Sequence, residues 1–286
     1  MTTLVVGGTG TVGSRVVAGL AKKGEKVLCL TRSEEKQKGL PAGVEARIGN
    51  LEDPPSLPAA FAGVDAVFLL NALSQTETKQ GLAGVGAAKV AGAKRIVYLS
   101  VPMPKGSEHI PHFASKIPVE EAIKASGLSH AILRPNSFFQ NDLWLKEAIV
   151  SHGIYPQPIG SKGMNRVDTG DIAEAAVTAL TAEGHEGGFP VHGPDALTGE
   201  GAARVWGRHL GREVRYAGDD LDAWSEQARK GLPDWLVHDL RVMYQYFQDN
   251  GFAPSAEDFA RQRELLPRPP RSFDEFVSET AAGWKS

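Results

Sequence analysis

A chain that carries Leu4-Val5-Val6-Gly7-Gly8-Thr9-Gly10-Thr11-Val12-Gly13 has few folds open to it. A short apolar run bounded by glycines predicts a buried parallel strand. Val16, Val17 and Leu20 then recur at helical spacing, and Gly24 supplies the stop. Two overlapping frames fit the glycines: Gly8, Gly10 and Gly13 match G-x-G-x-x-G, while Gly7, Gly10 and Gly13 form G-x-x-G-x-x-G. Either way, strand, tight turn and helix N-terminus form a cradle in which backbone N–H groups and the helix dipole meet a pyrophosphate. Gly7, Thr9, Gly10, Thr11, Val12 and Gly13 are therefore candidate dinucleotide contacts, and a second apolar run, Lys26 to Leu30, supplies the strand that the fingerprint requires.

The end of that second strand selects between dinucleotides. An NAD site places Asp or Glu there for the ribose 2′-hydroxyl, whereas this chain has Thr31-Arg32-Ser33. A guanidinium can fork onto a 2′-phosphate that a carboxylate would repel. An ionic hydrogen bond contributes about 1.5–3 kcal/mol and each 1.4 kcal/mol is about tenfold in affinity. NADP(H) is thus expected over NAD(H) by roughly ten- to a hundredfold.

With 286 residues the chain has room for one large α/β unit and a smaller lobe. Its 31 basic and 34 acidic residues leave a net charge of -3 without a long run of either sign, which argues against nucleic-acid and anionic-membrane partners. The N-terminus enters the first strand without a signal-peptide pattern, no apolar stretch reaches membrane-span length, and the single Cys29 sits in a predicted strand. These features predict a cytoplasmic protein.

Further strands are predicted at Val44–Ile48, Asp65–Leu70, Arg95–Ser100 and His130–Leu133, and the segment 33–43 reads as a turn. The run Asp53-Pro54-Pro55-Ser56 starts a helix with Leu57, Ala60 and Phe61 on its apolar face. Thr76–Ala91 reads as a close-packing helix with Leu82, Val85 and Val90, and Ser115–Ser126 as another that Gly127 ends. Ser137–Val150 reads as an amphipathic helix with Phe138, Leu145 and Ile149. Strand alternating with helix is the pattern of βαβ units. The expected fold is α/β, a Rossmann-type doubly wound parallel sheet with a smaller, mainly helical C-terminal lobe. Residues 1–155 would form the dinucleotide-binding domain and 156–286 the substrate lobe. The stretch 167–193 would return to the sheet, with Asp168 or Thr169 capping a helix and Phe189–His192 giving a strand.

Gly7–Gly13, Gly49-Asn50-Leu51 with Ser56-Leu57, Ser115-Lys116 with Glu120 or Glu121, Ser126-Gly127-Leu128, Ile132-Leu133-Arg134-Pro135, Asn141, Asp168 with Asp171-Ile172-Ala173, and Pro270-Arg271-Ser272-Phe273 form a set. On these residues the chain resembles, almost end to end, the NmrA-like members of the atypical short-chain dehydrogenase/reductases. The resemblance implies NADP(H) along the carboxyl ends of the strands and a pocket between sheet and smaller lobe. It puts Arg32 at the 2′-phosphate, Asn50 and Leu51 beside the adenine, and Asn71, Ala72 and Leu73 on the ribose side. Ser100, Lys116 and the Pro135-Asn136-Ser137-Phe138 loop would lie near the nicotinamide.

Related dehydrogenases use Tyr-x-x-x-Lys; here Lys116 is present and His112 occupies the tyrosine position. An imidazole with an ordinary pKa near 6.5 can serve as an acid around neutrality. Because proline is tolerated only in a first helical turn, Pro118 predicts a helix starting near Ser115 with His112 in the preceding loop. His109 and His112 stand three apart without a cysteine nearby in sequence, and no metal site is expected. Trp144, Trp206, Trp224, Trp235, Tyr244, Tyr246 and Phe247 fall in the carboxyl half. If two of them face the cofactor, an apolar or aromatic substrate is implied.

Three functions fit these residues. The first is NADPH-dependent hydride transfer to a small apolar acceptor such as a quinone, imine, enone or carbonyl. The second is a non-catalytic NADP(H)-binding sensor, motivated by His112, and the third an epimerase or isomerase that retains its cofactor. Neither the substrate nor the oligomeric state is set by the sequence.

Overall fold

Leu4 and Val5 are fully buried on opposite faces of a central strand. The computed structural model describes residues 1–33, 35 and 39–285, so the turn predicted over 33–43 lies partly outside the described residues. In chain order the first half contains β1 (Thr2–Val5), α1 (Gly13–Lys22), β2 (Lys26–Thr31), β3 (Glu45–Ile48), α2 (Leu57–Phe61), β4 (Ala66–Leu69), α3 (Glu77–Val90), β5 (Arg95–Leu99), α4 (Pro111–Ala114), α5 (Ile117–Ala125) and β6 (Ser129–Pro135). The second half contains β7 (Ile154–Tyr155), α6 (Thr169–Thr181), β8 (Gly187–Val191), α7 (Gly199–Leu210), β9 (Arg215–Tyr216), α8 (Leu221–Ala228), α9 (Asp234–Asn250), α10 (Ala256–Arg263) and α11 (Phe273–Lys285).

Seven strands form one parallel sheet in the order β3-β2-β1-β4-β5-β6-β8, a Rossmann-type arrangement extended by one strand. The order reverses beside β1, where Val5 is in register with Cys29 on one side and Phe68 on the other. Ligands of open α/β sheets lie outside the carboxyl ends of the strands at such a switch point, and the glycine turn begins there. One face of the sheet packs on α1 and α6 through Val16, Val17, Leu20, Ile172 and Ala176. The other packs on α2, α3 and α5 through Leu57, Phe61, Val85, Val119 and Ile123. A third cluster around Trp206, Tyr155, Phe139, Phe273 and Phe276 builds the carboxyl-terminal lobe. Asp168 caps α6 by accepting from the Gly170 N–H at 2.6 Å.

Three local expectations change. The helix α3 packs through its glycines: a Cβ on Gly81 would stand 2.5 Å from Val119 and one on Gly84 2.7 Å from Leu69. Leu82 and Val90 face outward instead, Val90 with 83% of its surface exposed. His112 lies within the short helix α4, which Pro111 opens; Pro118 then sits in the first turn of α5, and the two helices are separate elements. A proline can neither continue the hydrogen-bond ladder nor avoid the preceding carbonyl. Finally, Phe139–Leu145 is a 3-10 helix and Glu147–Ser151 a wide π-type turn rather than one amphipathic α-helix. The Arg166 guanidinium donates to the Phe138 and Phe139 carbonyls at 2.6 and 3.4 Å, acceptors that a regular helix would use internally.

Candidate functional site

Gly7 has φ 78°, and the Gly10 N–H donates to its carbonyl at 3.0 Å, closing a tight turn at the end of β1. A Cβ on Gly13 would stand 2.1 Å from that carbonyl oxygen, so the first turn of α1 reaches its position only with glycine. A Cβ on Gly8 would meet Cys29 Sγ at 2.5 Å. Gly8 thus spaces the turn from β2, and the Gly7, Gly10, Gly13 frame shapes the cradle. Burial pushes the Cys29 thiol up to about 11, as suits a core side chain.

Beside the turn opens a cavity of about 620 Å³. Its lining includes Gly7, Thr9, Gly10, Thr11 and Val12 from the cradle, Thr31 and Arg32 from the end of β2, Asn50 and Leu51, Asn71, Ala72 and Leu73, and Phe138. Gly13, Ser33, Ser100, Pro135, Asn136, His112 and Lys116 are not on that lining. Arg32 is exposed, and among the described residues it has no hydrogen-bond or ion-pair partner. Two polar atoms near the strand ends lack partners although buried, Asn71 Oδ1 and Asn136 Nδ2. Orphaned buried groups of this kind call for a ligand or an ordered water. A glycine cradle, a free guanidinium at one end and unspent amide groups toward the other fit a phosphorylated dinucleotide.

Of the seven aromatic residues singled out in the carboxyl half, only Trp144 borders this cavity, and it is 90% exposed. Trp206, Tyr244, Tyr246 and Phe247 are buried in the lobe. Gln140 and Asn141 border the cavity without having been expected there. A larger cavity of about 720 Å³ lies between Met103, Arg134, His192 and Phe252, with no glycine turn in its lining.

Lys116 is buried. Its Nζ lies 2.5 Å from Glu77 Oε1, their side chains are 6% and 2% exposed, and Ser115 Oγ donates to Glu77 Oε2 at 2.8 Å. Ser100, at the end of β5, donates to Glu120 Oε1 at 2.7 Å, and Arg134 grips both oxygens of that carboxylate. Burial raises the Glu120 carboxyl, but hydrogen bonds from Arg134 and Ser100 outweigh it and hold the group below the usual range. Tyr98, between Glu77 and Glu120, is held far above the usual phenol range by burial and then by those two carboxylates.

His112 Nδ1 lies 2.5 Å from Oδ1 of Asp239, a buried residue of α9 that also accepts the His112 backbone N–H. Such a pair selects a tautomer with Nδ1–H toward the carboxylate, leaving Nε2 for other work. Glu77 and Asp239 are the functional candidates that sequence reasoning missed. An acidic residue in a first helical turn reads as a partner of the helix dipole, and nothing local marks an aspartate of α9 as buried. Deeper in the lobe, Arg166 and Asp142 are both fully buried at 2.8 Å, with Tyr155 on the guanidinium and Trp206 Nε1 donating to the carboxylate. Among the described residues no three His, Cys, Asp or Glu side chains are grouped to hold a metal, and no helix is long and apolar enough to cross a membrane.

The model of the NmrA-like family matches residues 1–277. An NAD(P)H azoreductase of Xenophilus azovorans is 34% identical over 289 residues, covering 98% of each chain. A (4-alkanoyl-5-oxo-2,5-dihydrofuran-3-yl)methyl phosphate reductase of Streptomyces griseus is 31% identical, covering 97% of each. An NADPH-dependent quinone oxidoreductase of Escherichia coli, solved with NADPH, shares the fold with a TM-score of 0.86 at 24% identity, covering 97% of this chain and 99% of its own.

Proposed function

The chain belongs to the NmrA-like family, and from that premise we propose that it is an NADPH-dependent reductase passing hydride to a small apolar acceptor. The observation that carries the reading is that one cavity is lined by the glycine cradle, Arg32 and Phe138 together. Two relatives that match nearly end to end, the azoreductase and the furanone phosphate reductase, support the reaction type.

When bound, the nicotinamide cofactor supplies the hydride, and the protein supplies placement and polarity. On this reading the N–H groups of the Gly7–Gly13 turn and the N-terminus of α1 hold the pyrophosphate. Arg32, with Thr31 and Ser33 beside it, meets the 2′-phosphate, Asn50 and Leu51 flank the adenine, and Asn71, Ala72 and Leu73 line the ribose side. Phe138, Pro135, Asn136, Ser100 and Lys116 serve the nicotinamide end. His112, oriented through Nδ1 by Asp239, is the side chain able to give a proton to an acceptor that requires one. Acceptors that take hydride without protonation, such as an iminium, do not call on it.

The test is NADPH consumption by the purified protein against quinones, azo dyes, cyclic imines, enones and ketones, with NADH in parallel. Turnover with at least one class, favouring NADPH, is expected. Saturable NADPH binding without turnover would move the assignment to a redox sensor, and product formation without net NADPH loss to an isomerase.

A further inference from the structure

Lys116 and Glu77 come from different elements and are buried as a charged pair, a costly arrangement that apolar residues could replace without loss of stability. The pair also stands apart from its surroundings, since α3 otherwise meets α5 through Gly81 against Val119. Both Glu77 oxygens are engaged, Oε1 by Lys116 Nζ at 2.5 Å and Oε2 by Ser115 Oγ at 2.8 Å. Thr78 Oγ1 donates to the Ser115 carbonyl at 2.9 Å, tying the first turn of α3 to the junction between α4 and α5. The Glu77 backbone carbonyl in turn accepts from Asn71 Nδ2 at 3.0 Å, and Asn71 borders the dinucleotide cavity. One residue therefore touches both the cavity wall and the lysine.

We propose that Glu77 is a positioning residue for Lys116, aiming its ammonium at the ribose of the nicotinamide end of the cofactor. The proposal rests on the assignment of Lys116 to that end. An ammonium has three N–H donors; Glu77 takes one, the Tyr98 ring face lies 5.6 Å away, and the others have no hydrogen-bond partner among the described residues. Asn71 keeps a buried Oδ1 without a partner. Spare donors on Lys116 and a spare acceptor on Asn71, both bonded to Glu77, are what the vicinal hydroxyls of a ribose satisfy, since each hydroxyl both gives and receives a hydrogen bond. With its charge compensated by Glu77, Lys116 can meet a neutral diol without becoming an isolated buried cation.

The experiment is a double-mutant cycle of Glu77→Gln and Lys116→Met, with Glu77→Asp as the conservative variant. NADPH dissociation constants are read by direct fluorescence titration, and kcat and KM for the acceptor separately. Glu77→Gln is expected to weaken NADPH roughly tenfold, Glu77→Asp to recover much of that loss, and Glu77→Gln to add nothing further once Lys116 is Met. Equal losses with and without the lysine would make Glu77 a part of the wall only and overturn the proposal, as would unchanged NADPH affinity in Glu77→Gln. If Glu77→Gln does not fold, Glu77→Ala, which also removes the carboxylate, takes its corner of the cycle with the same two outcomes. Because binding is read without an acceptor, absence of turnover in the reductase test leaves this result standing. A silent Lys116→Met would instead overturn the lysine assignment and the proposal together.

Discussion

Arg32 has no hydrogen-bond or ion-pair partner among the described residues, and its position at the rim of the cavity is set by β2 ending at Thr31. Replacing Arg32 by Ala is expected to weaken NADPH binding by roughly ten- to a hundredfold and NADH hardly at all, as measured by titrating each dinucleotide. Equal losses would remove the 2′-phosphate assignment. The place of Arg32 on the cavity lining was legible in the sequence because it follows from the carboxyl end of one strand. Glu77 and Asp239 were not, because their partners Lys116 and His112 lie 39 and 127 residues away in the chain. A carboxylate acquires its role from the partner that packing brings to it, and no spacing rule encodes such a pair.

Among the elements, α3 separates two uses of glycine. Gly81 faces α5 with no room for a methyl group, whereas Gly86 is exposed and an added Cβ there meets nothing within 4 Å. Gly86→Ala is expected to stabilise the protein by about 0.5–1 kcal/mol through helix propensity, which for a chain of this size raises Tm by about 2–4 °C or less. Gly81→Ala gains the same propensity but overpacks Val119, at a cost of roughly 1–3 kcal/mol, and should lower Tm. Thermal unfolding of both variants checks this, and shifts of the same sign would contradict the packing argument. The helix itself could be read from its alanines, but which of its glycines was structural could not. Likewise, the 3-10 turn at Phe139–Leu145 arises because the distant Arg166 takes two carbonyls, a competitor invisible to local periodicity.

For the molecule as a whole, His192 makes an acid-sensitive joint between the last strand of the sheet and the helix packed against it. Its backbone is clamped on both sides by Gln262 and its ring lies 5.5 Å from Phe252. Burial lowers the imidazole from 6.5 to about 4, against smaller raising effects from Asp258 and the Asn165 backbone. The unfolded chain therefore binds a proton below pH 6.5 that the folded chain refuses until about pH 4, so stability falls as pH falls through that window. The contribution, present above pH 6.5, is on the order of 3 kcal/mol. In urea unfolding from pH 7.5 to 4, wild type should lose stability relative to His192→Gln between pH 6.5 and 4; parallel profiles would refute the assignment.

Seven strands, their parallel sense and the glycine turn at the switch point were all decided locally, and the expectation of a phosphorylated dinucleotide rests on local residues too. Apolar runs, turn residues and one arginine act through neighbours a few positions away. The mate of each buried charge, the face that α3 presents and the interruption before α5 were decided only when distant segments packed. Burial converts an ordinary lysine, aspartate or histidine into a paired, oriented or neutral one, because a charge removed from water must find its compensation wherever the fold happens to bring it.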